Sequence, residues 1–498
     1  MSDTTSGASA PAKSRRSLIQ TLEIDTRLLG MIGAFVLICI AFSIFTDGRF
    51  LSARNIFNLT IQTVSVAIMA TGMVFIIVTR HIDLSVGALL ALCSAVMGMT
   101  QARWLPELLG FGSFWIAPVT ILVGLAVGTL IGAFNGWLVG YQGIPAFIVT
   151  LGGLLVWRNV AWYTTGGQTI GPLDPTFLIF GGAEGTMGTA LSWVAAVIAC
   201  VATAWALWSA RRNKISHEFP VKPVWAEIAL GLIFMGAIVG FVAILNAYLI
   251  PSGRLERVFE ARGEVMPEGY VEGHGLPYSV LVLILVAIVM TLVARKTRLG
   301  RYIFATGGNP DAAELSGINT KLLTVKVFAI MGFLCGLSAV VASARLTFHT
   351  NDIGTLDELR VIAAAVIGGT ALAGGIGTIY GAILGALIMQ SLQSGMGMVG
   401  VDAPFQNIVV GAVLVFAVWI DTQYRTAPGM LIRTLSRAAL LIVLYTILRQ
   451  TAVSLGLMVG WGLWSILLTG IVAAILAAIV AIIVERAMAR SRQGRGLA

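Results

Sequence analysis

The sequence predicts an all-α fold, a polytopic integral membrane bundle of about 12–14 transmembrane helices. Hydrophobic residues make up 57% of the 498 residues and charged residues only 11%, against roughly 25% charged in soluble domains. Apolar runs of about 20 residues, long enough to cross a bilayer, recur along most of the chain. These observations exclude an ordinary soluble protein and leave no room for a large domain outside the membrane.

About fourteen segments are predicted to span the membrane. The first, 28–45, follows a polar tail, residues 1–27. The others lie near residues 56–79, 84–99, 116–139, 144–163, 189–208, 224–250, 278–294, 323–343, 359–375, 376–392, 405–420, 438–458 and 461–484. Most Lys and Arg residues fall between spans on the side of that tail, so both termini are expected in the cytoplasm. The net charge of +9 therefore reflects membrane orientation.

Glycine-rich segments complicate this count. Gly374, Gly375, Gly377 and Gly381 interrupt the apolar pattern, and such segments can form broken or re-entrant helices where they are buried in protein. The turn Thr370–Gly377 also resembles the turn Thr79–Gly87, since each follows an apolar run that is expected to end inside. Parallel repeats around a central path occur in transporters.

The first polar interruption is His81-Ile-Asp-Leu-Ser-Val-Gly87. Asp and Ser are strong N-cap residues, so Asp83 is expected to cap a helix that begins at Leu84, with Ser85 beside it. Carboxylates within a membrane are costly and often functional, which makes Asp83 and Ser85 candidates for a translocation path. The alternative is a carboxylate at the membrane surface that only caps the helix.

A second candidate region runs from Ile144 to Gln168. Aromatic faces can stack on sugar rings, and Thr, Asn and Gln side chains can bond hydroxyl groups. This composition adds Thr150, Trp157, Asn159 and Gln168 to the path candidates. An ordinary aromatic belt at the membrane interface, followed by a glycine turn, explains the same residues.

The cytoplasmic loop 295–321 contains signals for a short helix. Asn309 is a typical N-cap, Pro310 a typical first residue, Asp311 suits the first turn, and Gly317 is a typical stop. A seven-residue helix of this kind is too short to be stable alone. Either it docks into a partner's groove through its alanine and leucine residues, or it lies on the membrane. The external loop 251–277 carries a glutamate every four residues from Glu256 to Glu272 and could receive another partner.

Other kinds of chemistry lack their usual motifs. No lysine follows a glycine, so the chain has no Gly-Lys-Ser/Thr phosphate loop. Its four histidines have no metal spacing, and no nucleophile elbow is present. We therefore expect a non-catalytic subunit without a metal or cofactor of its own. Acidic residues within spans look scarce, with Asp83 nearly alone, which disfavours a secondary transporter driven by an ion gradient.

Four segments resemble the permeases of bacterial ATP-binding-cassette (ABC) importers for monosaccharides, a family that also includes branched-chain amino-acid permeases. These segments are Ile82–Gly87, Ile144–Gly152, Gly308–Ile318 and Gly368–Gly375. The likeness covers roughly residues 28–425 and, by the length of the middle region, favours the xylose branch. The remainder, 426–498, adds an apolar hairpin and a basic tail that shorter members lack.

The resemblance implies a type II ABC importer permease in the bacterial inner membrane. It implies a second permease copy, a periplasmic sugar-binding protein, and cytoplasmic ATPase subunits that supply the energy. The segment matching Gly308–Ile318 is the family's coupling segment. The residues that inherit the ATPase contact are Asn309, Pro310, Asp311, Ala312, Ala313, Glu314 and Gly317. A branched-chain amino acid remains an alternative substrate to a pentose, and an ion-driven carrier remains an alternative mechanism.

Overall fold

The computed structural model describes residues 26–182, 185–219, 221–261 and 263–426. Over these ranges the fold is helical, and extended pairing is limited to isolated bridges. In chain order the helices are α1 Thr26–Phe45, α2 Ala53–Val78, α3 Val86–Met99, α4 Leu105–Leu109, α5 Ile116–Gly140, α6 Ala146–Thr165, α7 Pro175–Leu178, α8 Gly188–Ser216, α9 Val224–Asn246, α10 Ser252–Ala261, α11 Tyr278–Lys296, α12 Arg298–Gly308, α13 Pro310–Leu315, α14 Thr320–Leu346, α15 Asp357–Ile367, α16 Ile379–Met398 and α17 Ala403–Thr426.

The polytopic all-α fold is confirmed. Within the described ranges, nine helical segments are long and apolar enough to cross a membrane. They are α1, α2, α3 with its continuation through α4, α5, α6, α8, α9, α11 and α14. The predicted spans near 438–458 and 461–484 lie outside the described residues.

The predicted span near 359–375 is not a full crossing. α15 has only 11 residues, about 16 Å by helical rise, and a glycine-rich turn over residues 368–378 follows it. Gly374 and Gly375 have φ angles of 87° and 75°, which residues with a side chain rarely adopt. α15 itself ends at Ile367, where Gly369 has a φ of 85°, and Gly374 and Gly375 shape the turn that reaches the end of α2. The segment therefore takes the broken form that the sequence left open.

The predicted span near 376–392 corresponds to α16, which begins at Ile379 and ends at Met398. It has the length of a span, but its second half carries Gln390, Gln393 and Ser394. These polar side chains need partners inside the bundle, because hydrocarbon offers none.

The closest helix packing joins α5 to α14. Glycines recur every four residues along one face of α5, as in other tight membrane helix pairs. A methyl group on Gly128 would lie 2.3 Å from the carbonyl oxygen of Gly332, and one on Gly132 would lie 2.3 Å from that of Phe328. Since neither position has room for a side chain, the two backbones are in direct contact.

Burial separates central helices from peripheral ones. α2 is almost entirely enclosed by other helices, whereas α1, α8 and α9 leave most of their apolar surface exposed. Apolar side chains on all sides of a helix suit a lipid environment. The centre therefore consists of α2, α3, α14, α15 and α16.

The chain divides into two compact units, Met1–Gln406 and Asn407–Ala498. All features described below belong to the first unit. Within the second, the structure describes residues 407–426, which form the rest of α17. Beyond Thr426, the predicted C-terminal hairpin and basic tail lie outside the described residues.

Candidate functional site

A polar cavity of about 440 Å³ lies where α2, α14, α15 and α16 meet the segment 347–356. Its volume falls within the roughly 300–1,000 Å³ of small-molecule sites. The polar side chains along its wall are Gln62, Ser65, Arg345, Thr350, Asp352, Thr355, Asp357, Arg360, Gln390 and Gln393. Such a concentration of hydrogen-bonding groups among apolar helices marks it as the candidate functional site.

A polar seam leads along α2 and α16 to this cavity. Gln390 Nε2 donates to Gln62 Oε1 at 2.9 Å. Two turns nearer the start of α2, Ser394 Oγ donates to Asn55 Oδ1 at 3.2 Å. Because residues seven apart lie on the same helix face, Asn55 and Gln62 form one polar stripe.

Charges of both signs border the cavity and largely compensate each other. Arg360 Nη1 donates to Asp357 Oδ1 at 3.1 Å, and both side chains are mostly buried. Asp357 also begins α15, where a carboxylate is favoured by the positive end of the helix dipole. Arg345 Nε is buried without a hydrogen-bond partner among the described residues. Donors and acceptors side by side suit a neutral solute with several hydroxyl groups.

The wall formed by residues 347–356 is held by side chains of other helices. Arg158 of α6 donates to the carbonyl oxygens of Asn351 (3.0 Å) and Ile353 (2.6 Å). On the other side, Ser94 Oγ of α3 lies 2.8 Å from His349 Nδ1. These bonds fix backbone that is neither helix nor strand at the end of α14, where His349 and Ile353 are buried and the carbonyl oxygens of Asn351 and Ile353 are hydrogen-bonded.

Three of the predicted path residues come together at the α2–α3 junction. Asp83 Oδ1 accepts bonds from the backbone N–H (2.8 Å) and the hydroxyl (2.6 Å) of Ser85. Thr150 Oγ1 donates to the carbonyl oxygen of Ile82 at 3.3 Å. The predicted helix start at Leu84 is wrong by two residues, because Asp83 folds Ser85 back into a turn and α3 begins at Val86.

The other three predicted path residues lie apart on and after α6. Trp157 is partly buried, and its Nε1 has no partner among the described residues. Asn159 is exposed and donates to the carbonyl oxygen of Leu155. Gln168 accepts an exposed bond from Arg103. None of the six predicted residues borders the cavity, and their part in a translocation path stays a prediction.

The buried carboxylates are the signal that sequence reasoning missed. The expectation that Asp83 stands nearly alone is wrong, since Asp357 and Glu358 are each only 8% exposed. The apolar run after Arg360 resembles the start of a span, which placed both acids outside it. The available clue was the glycine-rich turn that follows α15, because it leaves only a half-length helix, whose first residues then lie inside the bundle.

The helix signals in loop 295–321 are confirmed by the geometry of α13. Asn309 Oδ1 accepts from the backbone N–H of Ala312 at 3.1 Å, and Pro310 is the first helical residue. At the other end, Gly317 has a φ of 83°, and Ile318 donates its N–H to the carbonyl of Ala313. The helix has six residues, one fewer than predicted.

The outer surface of α13 is apolar at its tip. Ala313 is buried against the rest of the protein, but Leu315 is 90% exposed. Ala312, Asp311 and Glu314 are also exposed. An exposed leucine on a six-residue helix suits a shallow groove in a partner. The contact of α13 with an ATPase stays a prediction.

A bundle of apolar helices with a polar cavity, walled by a broken helix and re-entrant backbone, defines a membrane transport permease. The chain belongs to the family described as the permease component of the branched-chain amino acid transport system, whose model matches residues 55–418.

Its relatives share nearly their whole length with the chain. It is 37% identical to the xylose transport system permease protein of Haemophilus influenzae over 402 residues, which is 80% of this chain and 97% of the relative. The protein of that name in Escherichia coli K12 is 36% identical over 80% of the chain and 92% of its own length. The Escherichia coli K12 ribose import permease protein is 31% identical over 79% and 92%. No solved structure matches the chain.

Proposed function

We propose that the chain is the permease subunit of an ABC importer that carries a monosaccharide, xylose or a related pentose, across the inner membrane. The observation that carries this proposal is the polar cavity of about 440 Å³ among the central helices of a permease fold. The chain is 36–37% identical to permeases named for xylose and 31% identical to the one named for ribose. This difference supports xylose as the substrate.

The chemistry of the cavity favours a sugar over a branched-chain amino acid. Leucine, isoleucine and valine need an apolar pocket for their side chains. Here Gln62, Gln390 and the ion pair Arg360–Asp357 line the wall, and each can bond a hydroxyl group.

A separate ATPase subunit would supply the energy, since this chain has no phosphate-binding loop. α13, with exposed Leu315, Asp311 and Glu314, is the surface proposed for it. With both termini in the cytoplasm, α14 runs outward from α13. The cavity at the last turn of α14 then opens towards the periplasm, where a sugar-binding protein would deliver the substrate.

The ion-driven alternative is less well supported. Asp357 is a buried carboxylate, but it is bonded to Arg360 at 3.1 Å. The family match and the relatives named as transport system permeases support an ATP-driven importer instead. Alternating access driven by ATP therefore needs fewer assumptions than a proton or sodium relay.

Two copies of the chain embedded in lipid would complete the pore. The helices α1, α8 and α9 leave most of their apolar surface exposed, and lipid or a second copy would cover it. The mass of the purified complex measures the copy number directly.

The test is uptake by the reconstituted complex. The chain, its ATPase and its binding protein are placed in lipid vesicles, and labelled xylose, ribose and leucine are offered with and without ATP. We expect xylose uptake that requires ATP and persists with an ionophore. Uptake that proceeds without the ATPase and collapses with the ionophore would replace this function by the ion-driven one, and uptake of leucine alone would replace the substrate.

A further inference from the structure

Three backbone segments meet at the end of the bundle that carries α13. They are the last turn of α2, the last turn of α12 and the turn at Gly374–Gly375. The N–H of Gly375 donates to the carbonyl of Val78 at 3.0 Å. A methyl group on Gly307 would lie 1.9 Å from that same carbonyl oxygen. The segments are in direct backbone contact, so none of them can shift far without the others.

The side chain of Arg80 connects the end of α2 to the end of α12 through two hydrogen bonds. Its Nε donates to the carbonyl of Gly307 at 2.8 Å and its Nη2 to that of Gly308 at 2.7 Å. These are the final carbonyls of α12, which have no partner within their own helix. A guanidinium there also complements the negative end of the helix dipole. The next residue, Asn309, caps α13, so Arg80 holds the peptide from which α13 starts.

The backbone of Arg80 gives an independent reason to assign it a role. The N–H groups of Arg80 and His81 donate to the carbonyls of Ile77 and Ile76, which is the Schellman end of α2. Arg80 occupies its left-handed position, with a φ of 66°, where glycine is the usual residue. Gly317 fills the equivalent position after α13. An arginine kept in a conformation unfavourable for it indicates that its side chain is needed.

We infer that Arg80 is a positioning residue that transmits the displacement of α13 to both broken-helix turns. The inference rests on the proposed function, since it takes α13 as the ATPase contact. Through Arg80 a pull on α12 would reach the α2–α3 turn, and through the bond from Gly375 to Val78 it would reach the turn before α16. α16 carries Gln390 at the cavity. The contact with the motor is thereby linked to the wall of the substrate cavity.

Arg80→Gly is the most informative variant. Glycine relaxes the left-handed backbone and removes both bonds to α12, so the melting temperature in detergent should stay the same or rise. In vesicles with the ATPase and binding protein, we expect ATP hydrolysis to continue while xylose taken up per ATP falls at least tenfold. In Arg80→Lys, xylose uptake per ATP should fall about two- to fivefold, because an ammonium group lacks the planar geometry with which a guanidinium donates to two carbonyls.

Arg301→Gln is the matched control, since Arg301 is exposed on α12 itself and should leave uptake per ATP unchanged. Unchanged uptake per ATP in Arg80→Gly would overturn the inference. So would loss of the ATPase from the purified Arg80→Gly complex, because Arg80 would then serve docking rather than transmission. A failure of the proposed function would appear in the wild-type vesicles, whereas a failure of this inference appears only in the variant.

Discussion

The α13 end of the bundle and the cavity are built in opposite ways. At the α13 end, glycines bring three backbones into contact, and Gly307, Gly374 and Gly375 leave no space for side chains. At the cavity, long side chains such as Gln62, Arg345 and Arg360 surround an open volume. Backbone contact makes a stiff link, whereas side chains can change rotamer around a ligand. The contrast suits one end to transmitting force and the other to recognising a solute.

The largest effect should come from the ion pair at the cavity. Asp357→Asn preserves the shape of the side chain but leaves the buried Arg360 without its carboxylate. Breaking a buried pair is costly, about 3 kcal/mol or more, and the unpaired guanidinium would also distort the polar wall. We expect ATP-driven xylose uptake to fall about 10- to 100-fold, measured at equal amounts of assembled complex.

The matched comparison is Asn159→Ala. Asn159 is exposed and bonded only within α6, yet the sequence made it a path candidate. If the cavity is the site of recognition, this variant transports normally. A transport defect in Asn159→Ala as large as that in Asp357→Asn would indicate that the solute passes along the outer face of α6.

The second effect concerns α13. Gly317→Pro cannot adopt a φ of 83°, so the end of α13 must change shape. The double change of Asp311 and Glu314 to alanine instead removes exposed charges and keeps the helix. Each should reduce ATPase activity stimulated by sugar and binding protein about tenfold, while the permease still inserts and still binds the ATPase weakly. Full stimulation in both variants would rule out α13 as the coupling contact.

The two regions also differ in how far the sequence predicts them. The limits of α13 follow from Asn309, Pro310 and Gly317, because capping depends on a few neighbouring residues. The cavity depends on Gln62, Arg345, Asp357 and Gln390, which lie on four different helices. No local pattern connects them. Their proximity results from α15 beginning within the bundle, after the irregular segment 347–356, which no local sequence pattern specified.

A third, smaller effect tests the stiffness of the scaffold between the two regions. Gly132→Val would place a branched side chain against the carbonyl oxygen of Phe328, and α5 would have to move away from α14. Overpacking of this kind costs about 1–3 kcal/mol, so the melting temperature in detergent should fall by several degrees. Gly236→Val on α9, where a methyl group meets no neighbouring atom within 4 Å, should have little effect. Equal decreases in melting temperature in the two variants would mean that the α5–α14 contact contributes no more to stability than the position of Gly236 on α9.

The smallest effect is a pH dependence at the external loop. His274 is buried against the rings of Tyr248 and Phe57, with centroids 4.7 and 4.9 Å away. Burial, and secondarily the charge of Arg254, lower the pKa of His274 to about 4, against about 6.5 for a free histidine. The docked loop therefore keeps His274 neutral, whereas the released loop takes up a proton below about pH 6.5. Packing of the external loop against Tyr248 and Phe57 is unaffected above pH 6.5 and weakens steadily as the pH falls towards 4.

Hydrogen exchange at the backbone N–H groups of His274 and Leu276 measures this release. Corrected for the intrinsic rate, protection should fall about three- to tenfold between pH 7.5 and 5.5. His274→Phe keeps an aromatic ring against Phe57 and cannot titrate, so its protection should not change with pH. Since Phe57 lies on α2 near Asn55 and the polar seam, an acid-sensitive loop would place a titratable contact at the cavity end of the bundle. Equal pH dependence in His274→Phe would assign the effect to another group and leave the loop contact insensitive to acid.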